Sequence, residues 1–281
     1  MSLVNMRDLL SKAEKGKYAV GSFSVANMEM LMGAIKAAEE LNSPIIIQIA
    51  EVRLNYSPLH LIGPMMVAGA AKAKVPVAIH FDHGLTLEKI KEALEIGFTS
   101  VMVDGSKYLL EDNIKLTKEV MNEAKRYNAA VEAEIGIVGG SEDGSENLSV
   151  LCTSASEAKR FYSETCVDAL AVAIGNAHGT YLENPKLNFK VLDKINKDVD
   201  VPLVLHGGTG ISNDDFKKCI SLGIKKINIA TATFDSVEKN IKKLYEQSEE
   251  VDYFKLHQKE VEGAYLNVKR HIEVFGSENK A

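Results

Sequence analysis

Several features that would place a chain of 281 residues in other classes of protein are scarce or missing. Only three cysteines occur, Cys152, Cys166 and Cys219, and their wide spacing forms neither a disulfide framework nor a CxxC pair. No apolar run approaches the ~20 residues that cross a membrane. No basic block occurs and the formal net charge is −6, which argues against nucleic acid as a partner.

The N-terminus also lacks the pattern of a secretory signal. Arg7, Asp8 and Glu14 interrupt it before an apolar segment of sufficient length can form. The cysteines are expected to be reduced thiols, packed as small hydrophobic side chains. These features predict a cytoplasmic protein with neither nucleic acid nor a membrane as partner. The remaining composition, 46% hydrophobic and 26% charged, is that of a globular protein with a sizeable core.

Short apolar runs alternate with amphipathic segments in units of about 25–30 residues. The predicted strands are 18–23, 44–50, 77–82, 100–103, 130–135, 169–174, 202–206 and 226–230. Alternation of this kind indicates a parallel sheet covered by helices on both faces. Eight units fit an α/β fold of the (β/α)8 barrel type, as a single domain over residues 1–281 with extra C-terminal helices. A doubly wound open sheet is the alternative, which is weakened because no GxGxxG motif follows the first strand.

Polar residues collect at the carboxyl ends of the predicted strands, where the active site of such a barrel lies. Three histidines, His83, His178 and His206, each stand at or just past the end of an apolar run. Three imidazoles plus a water molecule form a common ligand set for catalytic zinc. The other polar residues at predicted strand ends are Asp82, Asp104, Glu132, Glu134 and Asn228. The sequence therefore predicts a metal-dependent site at the mouth of the barrel.

Two further titratable residues near the strands are not assigned to this site. His80 lies within the third strand, three residues before His83, and we expect it to point to a different face in a packing or supporting role. Lys226 begins the predicted eighth strand, which is the wrong end of a barrel for chemistry. No lysine is therefore expected within a barrel strand as a Schiff-base nucleophile.

Glycine-rich turns follow two of the histidines, at Gly179 and at 207–210. Such turns can cradle a phosphate with their backbone N–H groups, although tight turns alone require the same residues. A third glycine-rich loop, 136–150, leaves the fifth strand and carries Glu142. Its glycines allow the acid to swing over the mouth, and a solvated surface loop is the alternative.

These motifs resemble the class II, zinc-dependent aldolases of ketose phosphates, of the fructose-bisphosphate and tagatose-bisphosphate type. The resemblance runs through the chain from end to end, in order. The matching stretches are YAVGSF (18–23), PVAIHFDHG (76–84), SVMVDGS (100–106), VEAEIGIVGG (131–140), GNAHGTY (175–181), PLVLHGGTG (202–210), KINIAT (226–231) and FGSENKA (275–281).

The resemblance implies a TIM barrel that binds zinc through His83, His178 and His206. The implied reaction is aldol cleavage of a ketose phosphate to dihydroxyacetone phosphate and an aldehyde. Asp82 matches the acid that moves the proton at the C4 oxygen, and Glu142 matches the acid that moves the proton at C3. Because Asp82 immediately precedes His83, we expect the two side chains to leave the strand in different directions.

Other residues gain a function from the resemblance alone. Asp104 and Glu134 match acids beside the metal that can hold a second or displaced zinc position. The matching substrate-binding residues are Gly179, Gly207, Thr209, Asn228, Thr231 and Asn27. Some members also bind a monovalent cation, Na⁺ or K⁺. Members form homodimers or homotetramers.

The chain departs from relatives that use bisphosphates at the positions that would read the aldehyde half of the substrate. Ser24, Ala50 and Ala230 stand where such relatives often carry asparagine, serine, and asparagine or aspartate, although tagatose-type members share Ala230. An arginine early in the last helix has no counterpart, and Lys255 and Lys259 are the nearest cations. A ketose 1-phosphate without a distal phosphate is therefore an alternative substrate. A zinc hydrolase and a non-catalytic sugar-phosphate or metal-binding protein are the alternatives from other classes.

Overall fold

The computed structural model describes residues 2–140, 151–179, 185–247 and 250–281. Within these residues, eight parallel strands close into a barrel in chain order, with the last strand paired to the first. The strands are β1 Val20–Ser24, β2 Ile45–Ala50, β3 Val77–Gly84, β4 Ser100–Val103, β5 Ala130–Ile135, β6 Ala169–Val172, β7 Leu203–Leu205 and β8 Ile224–Ile229. Every residue of these strands is buried, as expected for a parallel sheet that is covered on its outer face by helices.

Helices cover the outside of the barrel, one after each strand, and two more helices lie at the ends of the chain. They are α1 Met6–Gly16, α2 Met28–Glu40, α3 Leu59–Lys72, α4 Leu87–Ile96, α5 Leu110–Lys125, α6 Ala155–Thr165, α7 Phe189–Asp198, α8 Asn213–Ser221, α9 Thr231–Gln247 and α10 Tyr253–Phe275. A short 3₁₀ helix, Glu51–Arg53, follows β2 and was not predicted. The (β/α)8 barrel is confirmed.

Many of the helices begin at a residue whose side chain accepts a hydrogen bond from the backbone N–H group three residues later. These caps are Asn27, Thr86, Asn188, Ser212 and Asp252. Each satisfies a backbone N–H group that the first helical turn leaves without a partner, and so fixes where the helix starts. The caps thereby define the first residues of α2, α4, α7, α8 and α10.

The interior of the barrel changes from apolar to polar along its axis. Its N-terminal end is filled by small and branched side chains, which pack in one cluster with α1. Met6, Leu9 and Leu10 of α1 close that end. The buried interior side chains nearer the carboxyl ends of the strands include Ser22, Gln48, His80, Asp82 and Glu132, and the side chain of Lys226 reaches them from the layer of Val20 and Val204. Titratable groups are therefore concentrated at one end of the barrel.

Two strand boundaries differ from the prediction in a way that matters for the site. β8 begins at Ile224, so that Lys226 lies inside the strand and inside the barrel, fully buried. The expectation that no lysine lies within a barrel strand was therefore wrong. The consecutive charged residues Lys225 and Lys226 interrupt the apolar pattern, so the sequence did not indicate that the strand begins at Ile224. β3 continues through His83 to Gly84.

The last helix, α10, packs across α2 and α9 and carries a buried histidine. A Cβ atom at Gly33 of α2 would collide with the carbonyl oxygen of Val261, so the two helices cross closely at this glycine. His271 is surrounded by the rings of Phe23, Phe216 and Phe275. Burial lowers the pKa of His271 to about 4, although its ring nitrogen Nδ1 donates a hydrogen bond to a backbone carbonyl of α10. No helix in the described parts of the chain has the length and apolar character to cross a membrane.

Candidate active site

Three histidines from separate strands meet at the carboxyl end of the barrel. His83 comes from β3, His178 from the loop after β6, and His206 from the residue after β7. One ring nitrogen of each lies within 4.8 Å of the others. His83 Nε2 is 2.9 Å from His206 Nδ1. His83 and His206 are buried, whereas His178 is partly exposed, so the cluster opens to solvent on one side.

A bulge in β3 brings two consecutive side chains into this mouth. Phe81 pairs with Val101 and Gly84 with Val103, so β3 has one residue more than β4 over this span. His83 absorbs the extra residue in a left-handed conformation, with φ of 42°. Asp82 and His83 contact different groups, and both reach the mouth because the bulge interrupts the usual alternation of faces.

Backbone contacts join the loops that carry the other two histidines. Asn176 is buried, and its Nδ2 donates to the carbonyl oxygen of His206 at 3.0 Å. The backbone N–H of His178 donates to the carbonyl oxygen of Gly139 at 2.7 Å, which ties in the loop after β5. Gly207 adopts φ of 62°, and a Cβ atom there would collide with the carbonyl oxygen of Ala177. These contacts fix His178 and His206 relative to each other.

A carboxylate lies behind each of the two buried histidines. His83 Nδ1 donates to Asp104 Oδ2 at 2.8 Å, and His206 Nε2 donates to Glu132 Oε1 at 2.8 Å. Each hydrogen bond leaves the opposite ring nitrogen as an electron-pair donor that faces the cluster. Metal-binding histidines are oriented in this way by carboxylates behind them. The three histidines therefore fit a divalent metal with one open position.

The two acids predicted beside the metal differ in charge state. Burial by itself would raise the pKa of Asp104, but the hydrogen bond and charge of His83 and the hydrogen bonds from Ser106 hold it well below the usual value. Burial and the charge of Asp104 raise the pKa of Glu134 to about 8. Glu134 Oε2 lies 3.8 Å from His206 Nδ1, so a cation on the histidines would favour its ionised form.

Asp82 is fully buried and is held by two side-chain amides. Gln48 Nε2 donates to Oδ2 at 2.9 Å, and Asn228 Nδ2 donates to Oδ1 at 3.0 Å. Gln48 is itself held by the hydroxyl groups of Ser22 and Ser24. The acid predicted to transfer a proton is thus fixed in position beside the three histidines.

Thr209 and Thr231, two of the residues predicted to bind the substrate, lie at the start of α9. The Thr209 hydroxyl oxygen accepts from the backbone N–H of Ala232 at 3.0 Å, which places the glycine-rich turn against the first turn of α9. Thr231 is the first residue of that helix, and helix N-termini favour anions. Gly179 has φ of 81° and open space where a Cβ atom would lie. The role of these residues in binding phosphate stays a prediction.

Two predicted residues stand apart from this cluster. Asn27 caps α2, since its Oδ1 accepts from Met30 N at 2.9 Å and its Nδ2 donates to Glu260 at 2.7 Å. Its side chain is therefore engaged in holding α2 and α10 together. Glu142, the acid of the glycine-rich loop, lies outside the described residues.

Comparison with known proteins agrees with this geometry. The family model described as "Fructose-bisphosphate aldolase class-II" matches residues 4–280. The chain belongs to this family. A fructose-bisphosphate aldolase of Geobacillus stearothermophilus is 41% identical over 247 residues, covering 87% of this chain and 86% of the relative.

Two more relatives of this class II aldolase align with it over almost the whole length of both chains. A 6-phospho-5-dehydro-2-deoxy-D-gluconate aldolase of Halalkalibacterium halodurans is 37% identical over 100% of this chain and 99% of its own. The crystal structure of the YdjI aldolase from Escherichia coli K12 is 37% identical, with a TM-score of 0.90 and 99% of each chain covered. The predicted family is confirmed. Its members are metal-dependent carbon–carbon lyases, and the family implies a sugar-phosphate substrate.

Sequence reasoning missed several residues of this class II aldolase site. Glu132 was noted at a strand end, yet its place behind His206 was not foreseen, although its spacing of two residues from Glu134 puts both in the barrel. Lys226 was set aside at the wrong end of the barrel. His80 lies inside the barrel, with Nε2 3.8 Å from Asp82 and 3.7 Å from Glu132.

An arginine near the mouth was also overlooked. Arg53 follows β2 by three residues, and its guanidinium lies 5.5 Å from the ring centre of Phe234, in the first turn of α9. Because β1 lies between β2 and β8 in the barrel, this contact spans the carboxyl end of β1. Lys255 and Lys259, which the sequence offered instead, pair with the neighbouring acids Asp252 and Glu262.

Proposed function

We propose that this chain, acting as one domain over residues 1–281, is a zinc-dependent aldolase that cleaves a ketose phosphate to dihydroxyacetone phosphate and an aldehyde. The proposal depends chiefly on one observation. Three histidines, two of them hydrogen-bonded to carboxylates, form a possible metal site next to the buried acid Asp82, which is not one of the three ligands. We also propose a cytoplasmic homodimer or homotetramer, as is common in the family.

His83, His178 and His206 would hold the zinc ion, and the bound ion would supply Lewis-acid stabilisation of the negative charge that develops as the C3–C4 bond breaks. Asp82 takes the proton from the C4 hydroxyl in cleavage and returns it in condensation. The amides of Gln48 and Asn228 hold its carboxylate in place for this transfer.

The remaining predicted residues complete the proposal. Asp104 orients His83, and together with Glu134 it offers a second position for the metal. Glu142 moves the proton at C3. The triose phosphate is bound by Gly179, Gly207, Thr209, Asn228 and Thr231, with Asn27 supporting the site from the start of α2. A monovalent cation, Na⁺ or K⁺, is bound by backbone carbonyls near Gly179 and Gly207.

The aldehyde half of the site differs from a site for a second phosphate. Ser24, Ala50 and Ala230 stand at the ends of β1, β2 and β8, which are neighbours in the barrel. These small neutral residues therefore form one continuous sector of the mouth. Arg53 and Phe234 span the same sector. A guanidinium group binds a carboxylate through two parallel hydrogen bonds.

This sector favours a second candidate for the aldehyde, one that carries a carboxylate in place of the distal phosphate. The relative from Halalkalibacterium halodurans is named for a gluconate, a sugar acid that carries both a phosphate and a carboxylate. The arginine that bisphosphate-using relatives place early in the last helix has no counterpart here, and loss of such a charge-assisted contact costs about 1.5–3 kcal/mol, or about one to two decades in affinity. Fructose 1,6-bisphosphate is then a poor substrate.

The test is condensation of dihydroxyacetone phosphate with three classes of aldehyde: glyceraldehyde 3-phosphate, neutral aldehydes such as glyceraldehyde, and an aldehyde acid such as malonic semialdehyde. We expect activity that is lost on exhaustive chelation and restored by Zn²⁺, and the highest kcat/KM for an aldehyde without phosphate. His206→Ala should lose both zinc and activity.

Full activity after chelation would overturn the metal-dependent mechanism. A kcat/KM for glyceraldehyde 3-phosphate that exceeds the other aldehydes by several decades would show a distal phosphate site instead. In that case the carboxylate candidate fails and fructose-bisphosphate cleavage stands.

A further inference from the structure

We propose that Lys226, a buried lysine inside β8, is a positioning residue that fixes both halves of the catalytic machinery at once. This inference rests on the proposed function. Its side chain is fully buried inside the barrel. The ammonium group contacts two side chains, Glu132 and Asn228, and each of these leads to a different part of the site.

The first contact leads to the metal-binding side. Lys226 Nζ lies 2.8 Å from Glu132 Oε2, while the other oxygen of Glu132 accepts from His206 Nε2 at 2.8 Å. With Lys226 on its Oε2 atom, Glu132 turns Oε1 toward His206 as a hydrogen-bond acceptor. His206 must then carry its proton on Nε2, which leaves Nδ1 as the electron-pair donor toward the cluster.

The second contact leads to the acid. Lys226 Nζ donates to Asn228 Oδ1 at 2.7 Å. With its oxygen engaged there, the amide of Asn228 can only turn its NH₂ group toward Asp82, where Nδ2 lies 3.0 Å from Oδ1. Lys226 thereby determines which end of the Asn228 amide faces the proton-transfer acid.

Lys225 provides a matched control in the adjacent position. It is also buried, but alternation along β8 directs it to the outside of the barrel. Its Nζ donates to the carbonyl oxygen of Ile220 at 3.3 Å and lies 3.7 Å from Glu14. A change at Lys225 removes a buried ammonium group of the same strand without touching either arm of the site.

The experiment compares Lys226→Met with Lys225→Met and the parent chain. Zn²⁺ affinity is measured by competition with a chromophoric chelator, and kcat and KM are measured for condensation. We expect Lys226→Met to bind Zn²⁺ about 10- to 100-fold more weakly, the range for loss of a group behind a metal ligand. At saturating Zn²⁺ its kcat should fall by at least tenfold, with KM for dihydroxyacetone phosphate within threefold of the parent. Lys225→Met should match the parent in both.

A double variant, Lys226→Met with Glu132→Gln, separates positioning from folding. It leaves no unpaired buried charge, so its melting temperature should return toward that of the parent while kcat stays at least tenfold lower. The proposal is overturned if Lys226→Met matches the parent in Zn²⁺ affinity and kcat, or if the double variant regains kcat along with its melting temperature. If the parent itself binds no Zn²⁺ or cleaves no ketose phosphate, the proposed function fails instead, and the two failures are distinguishable.

Discussion

Replacing Asp82 with asparagine separates proton transfer from metal binding. The variant keeps the shape of the side chain and removes only its ability to take up the C4 proton. General acid–base groups contribute roughly 10²–10⁴ in rate, which corresponds to about 3–5 kcal/mol in the activation barrier. We therefore expect kcat to fall by that factor. Zinc should be retained, because the carboxylate of Asp82 is held by the amides of Gln48 and Asn228.

The cost of this change to folding can be derived from the same contacts. The carboxylate of Asp82 accepts hydrogen bonds from the NH₂ groups of Gln48 and Asn228, whereas an asparagine there has only one oxygen that can accept. One of these two NH₂ groups would therefore face the NH₂ group of the new asparagine. Gln48 can turn its amide over, since its other partners are the hydroxyl groups of Ser22 and Ser24, which both donate and accept. The free energy of unfolding should therefore fall by about 1 kcal/mol, the value of one hydrogen bond. The melting temperature should fall by only about 2–4 °C.

The assay measures bound zinc, melting temperature, kcat and KM on the same preparation. Asp104→Asn is the contrasting variant, because Asp104 orients His83 and its change should weaken zinc binding about 10- to 100-fold. The assignment of Asp82 is refuted if Asp82→Asn turns over at the parent rate. It is also refuted if zinc and activity are lost together in this variant.

Two further predictions concern stability and substrate choice. Because burial lowers the pKa of His271 to about 4 from 6.5, the unfolded chain binds a proton between those values that the folded chain does not. The contribution of neutral His271 to the free energy of unfolding is complete above pH 6.5 and falls by up to about 3 kcal/mol as the pH drops to 4. Urea unfolding should detect this fall in the parent and not in His271→Phe. An equal dependence of unfolding free energy on pH in the parent and the variant contradicts the prediction. Arg53→Met should lower kcat/KM at least tenfold for an aldehyde acid and less than twofold for glyceraldehyde. Arg53→Lys should give values of kcat/KM between those of the parent and Arg53→Met. Equal losses for both aldehydes would exclude a specific contact between Arg53 and the carboxylate.

The barrel was predictable because its signals are local and repeated. Runs such as Ile45–Ala50 are apolar without alternation, which is the pattern of a strand buried on both faces. The three histidines could be placed together for the same reason, since the carboxyl ends of parallel strands meet at one mouth. Neither inference required knowledge of any contact between distant parts of the chain.

Features that depend on such distant contacts could not be predicted. The bulge at His83 arises from a register shift between β3 and β4, and no residue type in the stretch announces it. Asn27 matched a substrate-binding position, yet its side chain caps α2 and reaches Glu260 of α10, more than 200 residues away in sequence. The position of Arg53 at the mouth of the barrel was not predicted, because the 3₁₀ helix that carries it was not predicted.

The polar interior of the barrel explains why a lysine near the start of a strand belongs to the site. A buried carboxylate such as Glu132 costs several kcal/mol unless a charge or hydrogen bonds compensate it. His206 supplies one hydrogen bond, to Oε1, and leaves Oε2 to be compensated by another group. Only a group that enters from the closed end of the barrel can compensate Glu132 without occupying the mouth, and the long stem of Lys226 spans that distance. The apparently misplaced charge thus follows from keeping the mouth free for substrate.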